Sequence, residues 1–97
     1  MPNFSHPFQG NKCDKILNDG ELIRALRFSV ASEFEAIQIY EQLAESIANK
    51  TAKEILLDIA EEEKEHVGEF LKLIEILKPD EIEAYEEGKS EVEEKFL

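Results

Sequence analysis

The chain has 97 residues, 42% of them hydrophobic, which is enough for one small domain and leaves no room for a second core. Its 23 acidic against 11 basic residues give a formal charge of −12, which repels nucleic-acid phosphates and anionic membranes and argues against both as partners. Cys13 stands alone, so neither an internal disulfide nor a Cys-x-x-Cys knuckle is available, and a reducing, cytoplasmic setting is expected; no apolar run nears the roughly 18 residues of a membrane span.

Residues 1–17 hold Pro2, Pro7 and Gly10 around the isolated Phe4 and Phe8, show no sustained period, and read as an N-terminal arm in which His6 and Cys13 lack ligand spacing. A first long helix is predicted from Asn18, which forms a capping box with Glu21, to about Asn49. Leu26, Val30, Glu33, Ile37, Tyr40, Ala44 and Ile47 recur along it at alternating spacings of four and three. Thr51 with Glu54 predicts a second capping box, opening a helix that closes before Pro79. Its stripe is Ala52, Leu56, Ile59, Glu63, His66, Phe70, Leu73 and Leu77. The short connection predicts an antiparallel hairpin over residues 18–79. Beyond it, Ile82, Tyr85, Lys89, Val92 and Phe96 predict a shorter acidic helix over 80–97, weakened by Gly88, whose acids, Glu81 among them, read as a solvated face. The expected fold class is all-α.

Three residues break the apolar stripes. Glu33 sits between Val30 and Ile37, while Glu63 and His66 sit between Ile59 and Phe70, where a helix would place core side chains. A carboxylate or imidazole taken out of water costs several kcal/mol unless compensated, and a metal ion uses both groups at once. Counted from Asn49, Glu33 lies 16 residues back and Glu63 and His66 lie 14 and 17 forward, so all three stand about 21 to 26 Å from the turn, at one level of the hairpin. The Glu63-x-x-His66 spacing places both side chains on one face. The competing reading is a set of buried polar residues that fix pairing register.

One chain offers two carboxylates and one imidazole, too few for an octahedral iron centre, and a two-helix hairpin leaves its stripe half covered. Pairing about a two-fold axis would bury both stripes and gather four Glu and two His in a four-helix core, the ligand set of di-iron carboxylate bundles.

Glu33 with Tyr40 seven residues on, followed by the run Glu62 to His66, resembles the ferritin-like superfamily, rubrerythrins included, and most narrowly the encapsulated ferritins. The similarity spans about Asn18 to Pro79. It implies a ferroxidase: a homodimer whose interface holds a di-iron centre, assembled into a decameric ring inside an encapsulin shell, oxidising Fe(II) with O2 to feed iron storage in that compartment. It also implies Glu33 and Glu63 as carboxylate ligands, His66 as the nitrogen ligand, and Tyr40 as a hydrogen-bonding neighbour of the centre. Glu35 resembles part of the acidic site through which iron reaches the centre in some members, although Ser32 stands where those relatives carry an acid. Rubredoxin-type cysteine knuckles are missing, which argues against a complete rubrerythrin peroxidase. No segment near Leu97 reads as a shell-addressing peptide, so shell docking is expected from fusion or from residues beyond this sequence. Two alternatives stand beside the ferroxidase: a di-iron peroxide reductase with an external electron donor, and a metal-free helical assembly module.

Overall fold

Asn18 closes the start of the first helix in both directions: its Oδ1 accepts from the Glu21 N–H at 2.8 Å, and Glu21 Oε1 accepts from the Asn18 N–H at 3.1 Å. Satisfying these otherwise orphaned donors contributes about 1 kcal/mol. The computed structural model describes residues 15–97 and consists of α1 (Asp19–Glu45), α2 (Lys50–Leu77) and α3 (Pro79–Phe96), with no strand among the described residues. Phe4, His6, Phe8, Cys13 and most of the arm lie outside the described residues.

α1 stops earlier than its apolar spacing predicts. Ser46 is its C-cap, donating its N–H to the Leu43 carbonyl at 3.0 Å and its hydroxyl to the Gln42 carbonyl at 2.8 Å, so Ile47 falls in the turn. The second cap is also shifted: Asn49, not Thr51, precedes α2, and its side chain accepts from the Ala52 N–H at 2.9 Å. Asn is the stronger N-cap, and Thr51 is absorbed into the first turn. A connection this short reverses the chain, and α1 and α2 pack antiparallel as expected. α2 ends because Lys78 precedes Pro79. That position disfavours helical backbone, and Pro79 lacks the N–H needed to continue the ladder yet suits the first position of a new helix. α3 then runs through Gly88 without interruption.

The hairpin buries Ile23, Leu26 and Ala44 of α1 against Ala60, Val67 and Ile74 of α2. In α2 this inner stripe is displaced by one residue from the predicted one. Ala60, Val67 and Ile74 face α1, whereas Ile59, His66 and Leu73, each one residue back and therefore about 100° round the helix, occupy the neighbouring face. The sequence stripe merged two adjacent faces. Only one is covered within a single chain; on the other, Leu73 and His66 are exposed and Ile59 and Phe70 are half-buried. Leu43 and Ile55 are also exposed.

Candidate metal centre

Glu33 from α1 and Glu63 and His66 from α2 converge at one level of the hairpin. One ligand atom from each lies within 4.8 Å of the others, and this is the only such group of three or more among the described residues. His66 Nδ1 stands 3.3 Å from Glu63 Oε2 and 3.6 Å from Glu33 Oε2. Donor atoms bound to one cation at about 2.1 Å would lie roughly 3 Å apart, so the cluster needs only a small contraction to grip an ion.

Burial is graded across the cluster. The carboxylates of Glu33 and Glu63 are 19% and 18% exposed, whereas His66 is 46% exposed and opens toward the uncovered face. The expectation that His66 sits in the hairpin interior is thus corrected: it stands at the rim, because the inner stripe of α2 runs through Val67 beside it. Glu33 Oε2 is buried and is the only such side-chain oxygen or nitrogen without a hydrogen-bond partner among the described residues. A buried anionic oxygen left in this state is costly, and a cation placed among these three atoms would satisfy it. Two hard carboxylates and one imidazole suit iron, manganese or zinc, and three protein donors leave further coordination positions open.

Lys64, next to Glu63, reaches Glu41 of α1 at 3.1 Å and Glu61 at 3.2 Å. These partners raise its pKa, although pairs this exposed contribute little to stability. Tyr40 is half-buried on α1 nearer the turn, and no hydrogen bond joins it to Glu33, Glu63 or His66. Glu35 lies about 200° round α1 from Glu33 and stays outside the cluster. Glu61, Glu62, Glu65 and Glu69 are exposed.

The Rubrerythrin family profile matches residues 24–97 of this sequence. The chain belongs to that family. It is 41% identical over 81 residues to a ferritin-like–encapsulin shell fusion protein of Pyrococcus furiosus, a match covering 84% of this chain and 24% of that protein. It is 36% identical over 64 residues to the encapsulin nanocompartment cargo protein EncC of Myxococcus xanthus, covering 66% of this chain and 49% of that one. The chain thus spans between a quarter and a half of the length of these curated relatives. The crystal structure of the encapsulated ferritin domain from Pyrococcus furiosus superimposes with a TM-score of 0.83 at 37% identity, covering 97% of this chain and 95% of that one. Three helices in the encapsulated-ferritin arrangement are therefore the fold of this family member.

One functional-looking cluster escaped the sequence reading. Glu81 of α3 is buried, not solvated, and is gripped by Arg27 of α1 and by Tyr85. Nothing in the acidic run distinguishes Glu81 from its neighbours, since the signal lies 54 residues away at Arg27.

Proposed function

We propose that this chain is one half of an iron-oxidising centre. Two copies pair about a two-fold axis over the face that carries His66, Ile59 and Leu73, bringing together Glu33, Glu63 and His66 from each. Fe(II) is the substrate: each ion gives up one electron to O2 at this interface. The observation that carries the reading is the buried Glu33 Oε2, which has no hydrogen-bond partner, beside Glu63 and His66 on a face left open by the single chain.

Each residue has a defined task. Glu33 and Glu63 supply anionic oxygens whose attraction grows as iron passes from the divalent to the trivalent state, which favours oxidation. His66 supplies a neutral nitrogen that retains affinity for Fe(II). Ile59, Phe70 and Leu73, closed over by a second copy, would exclude bulk water and strengthen the electrostatics inside. Tyr40, close to the same stripe, would hydrogen-bond to a carboxylate once the face is covered. The relatives, a shell fusion protein and a nanocompartment cargo protein, support association with an encapsulin shell; on the proposed reading the dimers assemble there into a decameric ring and Fe(III) is released into the compartment for storage. On this reading the protein works inside an encapsulin compartment of the cytoplasm.

The test is oxygen consumption on addition of Fe(II), run with metal content and solution mass. About one iron per chain in an even-numbered oligomer is expected, with turnover lost in Glu33→Ala and His66→Ala. Iron oxidation no faster than in protein-free buffer would end the proposal.

A further inference from the structure

α3 is joined to the hairpin by very little. Lys78, with φ −150° and ψ 75°, is the only residue between α2 and α3, and no Cα of α3 lies within 8 Å of a Cα of α1. From Glu83 to Leu97 every residue is exposed, and the sole buried residue of α3 is the carboxylate Glu81. A helix docked by apolar packing would place an aliphatic side chain there. An open groove of about 270 Å³, lined by Val30, Ala31, Phe34, Leu71 and Ile74 of the hairpin together with Arg27 and Tyr85, opens there instead.

Polar contacts bridge what packing does not. Arg27 donates from Nε to Glu81 Oε2 at 3.1 Å and from Nη2 to Oε1, a two-pronged pairing that fixes direction as well as distance. Tyr85, one turn along α3, donates its hydroxyl to the same Oε2. The Arg27 bonds hold the Glu81 carboxyl at a pKa of about 2 against the opposing effect of burial, so it is charged at any physiological pH.

We propose that Arg27, Glu81 and Tyr85 form a latch that fixes the direction of α3 across a one-residue hinge at Lys78. Because α3 is 18 residues long, a swing of about 20° at the hinge carries its far end through roughly 9 Å. The latch therefore decides where the exposed Val92 and Phe96 are presented. It acts on α3 alone and is independent of the metal reading.

Electron–electron distance measurements test it. Nitroxides are attached through Glu65→Cys on α2 and Glu94→Cys on α3 in a Cys13→Ser background, and labelled chain is diluted with unlabelled chain so that only distances within one chain are read. The latched protein gives a narrow distribution. Arg27→Ala leaves every residue of α3 in place and is expected to broaden the distribution and shift its mean; Glu81→Ala is expected to do the same, with no further change in the double variant. Helix content by circular dichroism stays constant. A distribution for Arg27→Ala that superimposes on the unaltered one would overturn the latch. So would a loss of helicity in that variant, because the contact would then be holding α3 folded and not aiming it.

Discussion

Replacing Glu33 by Gln should move stability in opposite directions with and without metal. In the metal-free chain, Glu33 and Glu63 present carboxylate oxygens within 4.8 Å of each other, and the single His66 nitrogen lies nearer to Glu63 than to Glu33. Two unit charges at 4.8 Å repel by about 3.5 kcal/mol at an effective dielectric constant of 20 and by about 1 kcal/mol in water. The cluster is open on the His66 side, so a value of about 1 to 2 kcal/mol is appropriate. Glu33→Gln removes this repulsion, and for a chain of this size the metal-free Tm should rise by on the order of 5 to 10 °C. A divalent ion at a hundredfold excess over its Kd stabilises the unaltered protein by about 2.7 kcal/mol, and the amide, a far poorer ligand, should forfeit most of that gain. The two melting curves therefore exchange order on metal addition. Calorimetry at fixed protein concentration, with Fe(II) under anaerobic conditions or Co(II) in air, reads both effects. A variant that melts no higher than the parent without metal, or that keeps the parent's metal-linked rise, would refute the idea that these carboxylates are held together for a cation.

Four further outcomes follow from the fold and the proposed pairing. Ile74→Ala, which empties a fully buried position, should lower the urea-unfolding free energy by about 2 to 5 kcal/mol, whereas Leu73→Asp next to it should chiefly weaken the proposed pairing of two copies, read by analytical ultracentrifugation. Asn49→Ala removes the α2 cap and should cost about 1 kcal/mol in the same unfolding assay. The Glu81 carboxyl titrates at about 2 in the folded chain against 4.5 for the free group, held down chiefly by its hydrogen bonds from Arg27. Because the folded value is the lower one, this stabilisation is fully present above the unfolded value and is lost as pH falls from about 4.5 toward 2. Discounted for the half-exposed Arg27, it amounts to about 2 kcal/mol. Glu81→Gln should therefore lose less stability than the parent between pH 6 and pH 2.5; parallel losses would exclude the pair as a source of acid sensitivity.

The hairpin was legible because its signals are local. Asn18 with Glu21, the Pro79 stop and the four-and-three spacing each act within a turn or two of helix, and the level shared by Glu33, Glu63 and His66 follows from counting outward from the turn. Less was legible where two signals competed. Asn49 prevailed over Thr51 as cap, and the α2 stripe blended an inward face with an outward one because both repeat every seven residues. Glu81 was opaque for a different reason: its burial depends on Arg27, and no short-range pattern connects the two.

The one-residue offset between the two faces of α2 also constrains how this helix can vary. Ala60, Val67 and Ile74 sit against α1, while Ile59, His66 and Leu73 look outward. Inserting or deleting a single residue between Ala60 and Val67 would turn everything beyond it by about 100°. A deletion brings the original Gly68 and Glu75 to the inner positions; an insertion brings His66 and Leu73 inward. A point substitution on this stretch alters one side chain, whereas a change of length re-aims every side chain beyond it, so α2 should keep a fixed residue count between its cap and Pro79.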